Sequence, residues 1–154
     1  MAGMKESLQN DLTAAIREKN SVVTATLRMI LAAITNEEVA GKVARELSDQ
    51  DIIQVLTREA KKRKEAAAAY DDAKRPELAD KERAELDVIS AYLPEALSDE
   101  EINKIIADAV ATVAAQGATG PAAMGQVMKL VQPQVAGRAD GGIVAGLVKA
   151  ALAN

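Results

Sequence analysis

The chain has 154 residues, a formal net charge of −4 and a hydrophobic fraction of 49%, which fits one or two small domains with their own cores. It contains neither cysteine nor histidine, which excludes disulfides, thiolate zinc sites and catalysis by a thiol or an imidazole. Two tyrosines are its only aromatic residues, and the abundance of Ala, Leu, Glu and Lys favours helices over strands.

The first two predicted elements are amphipathic helices. Apolar residues recur with helical spacing over about 5–19, and Asn20 and Ser21 then offer a cap for a second helix over about 22–40. Residues 41–47 have no such spacing, so we expect a connector there.

The third and fourth predicted helices have clear start and stop residues. Ser48, with Asp51 three residues later, predicts a weak form of the capping box at the start of a helix that continues to about Lys74. Pro76 fits the first turn of the next helix, and Pro94 should end it.

Three more helices are predicted after Pro94. Ser98 and Glu101 form a second capping box, and the fifth helix should run to Gly117. A sixth helix covers 124–133 and a seventh follows the GRADGG stretch.

These patterns predict an all-α fold with a four-helix N-terminal domain at about 1–93 and a small three-helix C-terminal domain at about 95–154. The N-terminus has no basic segment followed by an apolar stretch, and no run approaches about 18 uncharged apolar residues. We therefore expect a cytoplasmic protein with no membrane span.

The basic run REAKKRK is the first candidate binding feature. On a helix, Arg58, Lys61 and Lys62 lie opposite the apolar stripe, while Arg63 falls at its edge, where its stem can pack. One interpretation is a face that contacts phosphates. The alternative is an ordinary solvated face, with Lys61 paired to Glu65.

The GRADGG loop is the second candidate. Gly137 can adopt the left-handed conformation that ends helix six, and Asp140 suits the N-cap of helix seven. Gly141 and Gly142 leave the first amides of that helix unobstructed, and Arg138 beside them would complete a phosphate site. Asp140 would compete with an anion there, and the alternative is that Arg138 pairs with a carboxylate to brace the loop.

Methionines in the sixth helix admit two interpretations. Met124 and Met128 are one turn apart, which suits core packing. Gly125 either permits a close approach of a backbone or ligand, or lies in the first helical turn.

Acidic residues cluster around helix four, but each has a basic neighbour one turn away. Glu77–Lys81 and Asp71–Arg75 are examples of the expected pairs. Nothing selects two carboxylates as a general acid and base, so we expect no catalytic residues here.

Four stretches resemble the GatB/YqeY family: LRMILAAI, KKRKEAAAAY, KRPELADKERAELDVISAYLPEALSDEEI and GQVMKLVQPQVAGRADGGIV. The resemblance covers nearly the whole chain and implies a stand-alone YqeY-like protein with two helical domains. Residues 98–154 are similar to the helical tail of the B subunit of the tRNA-dependent amidotransferase, which contacts tRNA in that enzyme. Ala123 and Ala145 depart from the family pattern, which has an acid and an asparagine at these places.

The resemblance implies a non-catalytic tRNA-binding accessory protein without metal or cofactor. Alternatives are a component of a glutamine-dependent carbon–nitrogen ligase acting on misacylated tRNA, and a helical protein-interaction adaptor. Partners would be tRNA and amidotransferase or aminoacyl-tRNA synthetase components. The residues expected to contact tRNA are Arg138, Lys129, Lys149, Arg58, Lys61 and Lys62, with Gly137, Asp140 and Gly141 shaping the loop.

Overall fold

The computed structural model of the chain describes residues 3–153, and these residues contain α-helices and no β-strand. The predicted all-α fold is confirmed. The helices of the first part of the chain are α1 (Met4–Arg17), α2 (Ser21–Glu38), α3 (Asp49–Asp72) and α4 (Pro76–Ser90). They are followed by α5 (Asp99–Ala115), a short 3₁₀ turn (Pro121–Ala123), α6 (Met124–Val135) and α7 (Gly141–Ala153).

The described residues divide into two compact units between Leu93 and Pro94. The first unit contains α1–α4. Within it α3 packs along α4 and α1 along α2, and α2 contacts both α3 and α4. The buried residues of its core are Leu8, Leu27, Ile30, Ile34, Leu47, Ile52, Val55, Leu56, Ala60 and Ile89.

The second unit has its own core, in which α5, α6 and α7 contact one another. Its largest fully buried side chains are valines, and Ile102, Ile106 and Leu152 are buried beside them. Pro133 lies within the last turn of α6, where it has no N–H to donate to the carbonyl of Lys129. The buried residues of this core are Ile102, Ile106, Ala109, Val113, Ala123, Val127, Val131, Val135, Val144, Val148 and Leu152.

Both predicted capping boxes are confirmed. The Ser48 hydroxyl accepts a hydrogen bond from the Asp51 amide at 3.1 Å, and the Asp51 carboxylate accepts one from the Ser48 amide at 3.2 Å. Ser98 and Glu101 make the same pair of bonds, at 3.1 and 3.2 Å, at the start of α5. Each box satisfies amides that a helix start leaves without a partner in the helix itself.

Left-handed lysines close two of the turns between helices. Lys19 (φ 56°) follows α1, and Lys74 (φ 59°) follows α3. The Asn20 amide donates to the carbonyl of Ala15 at 2.9 Å, and Arg75 makes the equivalent bond after α3, which is the Schellman arrangement. Glycine normally occupies this position, so the sequence did not indicate these turns.

In the part of the chain that the structure describes, no helix is both long enough and apolar enough to cross a bilayer.

Candidate nucleic-acid interface

The basic face of α3 is exposed but partly neutralised. Arg58 contacts Glu37 of α2 at 3.2 Å, and Lys62 contacts Glu59 of α3 at 3.4 Å. Lys61 is exposed beside them. Acidic partners from two helices therefore lower the positive potential that the run REAKKRK suggests.

Arg63 has a structural role. As predicted, it lies at the edge of the apolar stripe, and only 13% of its side chain is exposed. Its guanidinium contacts Glu59 at 2.5 Å and Glu85 of α4 at 3.4 Å, and Nη2 lies 3.5 Å from the sulfur of Met29 in α2. This cation therefore connects three helices and is not available to a ligand.

The loop between α6 and α7 begins with a tight turn. Ala136 is extended (φ −54°, ψ 123°) and Gly137 is left-handed (φ 73°). The Arg138 amide donates to the carbonyl of Val135 at 2.8 Å. These features define a type II turn, whose third residue requires a positive φ and so favours glycine.

Arg138 braces this loop against the segment that leads into α5. Its Nε donates to the carbonyl of Glu95 at 3.0 Å, and its own carbonyl accepts from the Leu97 amide at 2.9 Å. Hydrogen bonds from Ser98 are the main cause that lowers the pKa of Glu101, and the charge of Arg138 adds to it. The structure thus shows bracing, but through a backbone carbonyl and not through the carboxylate pair considered from the sequence.

Asp140 occupies the amides at the start of α7. Its Oδ1 accepts from the Gly142 amide at 2.8 Å and from the Ile143 amide at 3.1 Å. A Cβ at position 142 would lie 3.2 Å from that oxygen, a tight contact, and Gly141 beside it is exposed. An anion at this helix start would have to displace the carboxylate.

Lys129 and Lys149 lie on the least acidic part of the molecule. Both are exposed, Lys129 on α6 and Lys149 on α7, and neither helix contains an acidic residue. Residues 117–154 hold three basic side chains and one acidic side chain, Asp140, which caps α7. α6 and α7 are therefore poor in charge of either sign, and residues 117–154 carry a small net positive charge in a chain that is acidic overall.

The candidate residues fall into two groups. Arg58, Lys61 and Lys62 belong to the first unit, whereas Lys129, Arg138 and Lys149 belong to the second. Within the second unit α6 contacts α7, and the loop that holds Arg138 joins them.

The methionines of α6 pack against the core of the second unit. Met124 and Met128 are partly buried there. Gly125 is exposed in the first turn of α6, with open space around the position of a Cβ. Of the alternatives left open by the sequence, the structure therefore shows core packing for the two methionines and a first-turn position for Gly125.

The acid–base pairs around α4 differ from those predicted. Arg75 pairs with Glu77 at 2.8 Å, and Arg83 pairs with Asp71. Asp71–Arg75 was wrong because Arg75 lies in the turn between α3 and α4, where helical spacing does not apply. Glu77 likewise pairs with Arg75 of that turn and not with Lys81.

Tyr92 makes a polar contact that the sequence did not reveal. Its hydroxyl donates to the carboxylate of Asp11 at 2.5 Å, across 81 positions of the chain. Burial, and then the neighbouring carboxylate, raise the pKa of Tyr92 above its ordinary range. The phenol therefore stays protonated and joins the end of α4 to α1.

Within residues 3–153, the His, Cys, Asp and Glu side chains form no group of three that could hold a metal ion.

Comparison with known proteins identifies relatives over most of the chain. A family model described as Yqey-like protein matches residues 5–152. Altered inheritance of mitochondria protein 41, mitochondrial, from Pyrenophora tritici-repentis is 31% identical over 86% of this chain and 71% of its own length. The proteins of the same name from Clavispora lusitaniae (37% identical, 64% of this chain and 57% of that protein) and Saccharomyces cerevisiae (31%, 71% and 61%) are also similar. The chain thus spans less than two thirds of the length of the latter two relatives.

Proposed function

The chain belongs to the YqeY-like protein family, and from that premise we propose that it is a non-catalytic tRNA-binding accessory protein. The observation that carries the proposal is the charge distribution of the second unit. Lys129 and Lys149 are exposed on two helices without acids, in a chain whose net charge is −4. A nucleic acid approaching this chain meets least repulsion at α6 and α7.

Arg138 is assigned a double role in this proposal. Its Nε holds the Glu95 carbonyl, so the side chain has a fixed position beside the start of α7. Its charge still adds to the potential that phosphates experience near the loop. We expect Arg138 to position the loop and the two lysines to contact phosphates directly. The α3 face, with Arg58, Lys61 and Lys62, is expected to contribute less because acids lie among its cations.

The proposal predicts weak binding with a measurable salt dependence. Each phosphate contact contributes roughly one unit or slightly less to the slope of log K against log salt. Two or three contacts therefore predict a slope of about −2 to −3. This slope is much shallower than the slope of a dedicated basic nucleic-acid binder, which makes many more phosphate contacts.

Filter binding of tRNA at about 50 mM and about 200 mM salt tests the proposal. Lys129→Gln and Lys149→Gln should each weaken binding several-fold and lower the slope by about one unit. Lys104→Gln is the matched control, because Lys104 is exposed on α5 of the same unit and pairs with Asp108 at 3.0 Å. Absence of binding at low salt, or binding that salt does not weaken, would contradict tRNA recognition by phosphate contacts.

The non-catalytic part of the proposal has its own test. We expect the purified protein to show no glutamine- and ATP-dependent amidation of misacylated tRNA. Turnover in that assay would support the alternative of a carbon–nitrogen ligase component. Association with amidotransferase or aminoacyl-tRNA synthetase components should be sensitive to ribonuclease if tRNA mediates it.

The proposal requires a compartment that contains tRNA. The cytoplasm meets this requirement, and so do mitochondria, the location that the names of the fungal relatives state for those proteins.

A further inference from the structure

A shallow apolar groove of about 350 Å³ runs between α5 and α7 in the second unit. Ile106 of the core forms its buried floor. Ala107 and Ala111 are exposed on one wall, so that another backbone could approach α5 closely. None of the lining residues is charged: the walls are formed by Asn103, Ala107, Val110 and Ala111 of α5 and by Leu147 and Ala151 of α7.

Branched side chains extend the apolar surface along α7. Leu147 is 38% exposed, and Ile143, one turn earlier, is 63% exposed. Ile143, Leu147 and Ala151 follow one another at four-residue steps and so form one stripe. Exposed apolar side chains beside an apolar groove are typical of interaction sites.

The helix beside the groove is acidic. α5 contains four acids and one base, Lys104, which pairs with Asp108. Glu100 lies two turns before Ala107, and Lys104 with its partner Asp108 lies beside Ala111, so these three charged residues give the groove side of α5 a net charge of −1. An acidic edge of this kind attracts a basic partner and repels phosphates, which makes the groove a poor site for RNA.

We propose that the groove binds an amphipathic helix of a partner protein, with an apolar stripe facing α5 and α7 and basic residues beside it. A helix laid into a groove buries its anchors at i, i+4 and i+7, which suits a trough between two helices. The negative charge of α5 favours a partner helix whose flanking residues are basic over one whose flanking residues are acidic. A second copy of the chain fits less well, because a two-fold interface on this face would bring two acidic α5 helices together.

Two synthetic peptides test this proposal with the full-length protein. Both carry leucines at i, i+4, i+7 and i+11 of one helical face, and their other exposed positions are lysine in one peptide and glutamate in the other. Fluorescence anisotropy should show binding of the lysine peptide, and the glutamate peptide should bind at least about tenfold more weakly.

Substitutions in the groove locate the binding. Ala107→Gln together with Ala111→Gln fills the groove without changing charge, on exposed positions of a helix that glutamine tolerates well. This double variant should weaken binding of the lysine peptide about tenfold. Ala68→Gln, at an exposed position of α3, is the matched control and should leave binding unchanged. Should the double variant lose helicity by circular dichroism, Leu147→Ala removes one groove wall instead and should weaken binding several-fold.

Several outcomes would overturn the proposal. They are absence of binding, equal binding of the two peptides, and binding that the folded groove variants leave intact. A dimer of the native chain that the double variant abolishes would assign the groove to a second copy. Loss of tRNA binding in the double variant would assign it to nucleic acid. The tRNA proposal is tested separately through Lys129 and Lys149, so one of the two proposals can fail while the other stands.

Discussion

At Arg63 a guanidinium group sits between α3 and α4 with two carboxylates as partners. The exposed fractions of the Glu59 and Glu85 side chains are only 16% and 14%. Carboxylates that are largely removed from water need a cation nearby, because the desolvation of an unpaired charge is unfavourable. A residue in a basic run can therefore serve the fold and not a ligand.

Removal of Arg63 should destabilise the first unit. Arg63→Ala leaves Glu59 and Glu85 without their shared cation and removes a packed stem, and we expect a loss of about 2 kcal/mol in the free energy of unfolding. Urea denaturation at neutral pH measures it. Lys62→Ala, which removes an exposed partner of the same Glu59, should cost less than about 0.5 kcal/mol. Equal effects of the two substitutions would contradict the structural role of Arg63.

The side chains of the candidate site could be predicted from the sequence only in part. The exposed positions of Arg58 and Lys62 follow from helical periodicity, which needs only neighbours along the chain. Glu37, the partner of Arg58, is 21 positions away and comes from another helix. The bond from Arg138 to a carbonyl 43 positions away likewise depends on how loops meet, which local spacing does not encode.

At the scale of elements, the two capping boxes make the stability of the fold depend on pH in the acidic range. Hydrogen bonds from Ser48 lower the pKa of Asp51, and those from Ser98 lower the pKa of Glu101. A carboxyl group with a lowered pKa in the folded state stabilises the fold above its unfolded pKa, and that contribution is lost as the pH falls.

We therefore expect the urea midpoint of the native chain to fall as the pH is lowered from about 5 to about 3. Asp51→Asn and Glu101→Gln should each lower stability at neutral pH and make this decline shallower, since the substituted side chain no longer titrates. Glu46→Gln, at an exposed position outside the helices, is the control and should leave the slope unchanged. A decline that is equally steep in both cap variants would contradict the assignment.

The left-handed lysines predict a gain in stability on substitution by glycine. A side chain with Cβ in this conformation is strained, and glycine removes the strain at the cost of a more flexible unfolded chain. Lys19→Gly and Lys74→Gly should each stabilise by about 0.5–1 kcal/mol, measured by chemical denaturation. Lys64→Gly, at an exposed position within α3, should instead destabilise by about 1 kcal/mol. Loss of stability at both turn positions would contradict the left-handed geometry.

Helix starts could be predicted better than helix ends for a physical reason. Ser48, Ser98 and Pro76 act through bonds and torsions within a few residues, so their patterns are readable in the sequence. The ends of α1 and α3 have no glycine, and a lysine adopts the left-handed conformation at each of these turns, which residue type alone does not predict. The groove between α5 and α7 was also missed, since it exists only once two distant stripes lie side by side.

At the scale of the whole molecule, the exposed lysines of the second unit and the lining of its apolar groove are different residues, although α7 contributes to both. α5 is acidic and borders the apolar groove, whereas α6 and α7 carry the exposed lysines. The two proposals for this unit, phosphate contacts by Lys129 and Lys149 and helix binding in the groove, therefore depend on different residues and can be tested independently.

The two units should respond separately to mutations of their cores, because the two buried clusters have no residue in common. Val127 is fully buried in the second cluster, and Val127→Ala should reduce the stability of that unit by about 2 kcal/mol through lost burial and a cavity. Hydrogen exchange measured by mass spectrometry should then be faster in α5, α6 and α7 and unchanged in α1–α4. Ile30→Val, in the first cluster, is the reciprocal control and should accelerate exchange in α1–α4 alone, by a smaller factor because one methylene is lost. Faster exchange throughout the chain in both variants would show that the units unfold as one, and the second unit could not then be treated as a separate binding module.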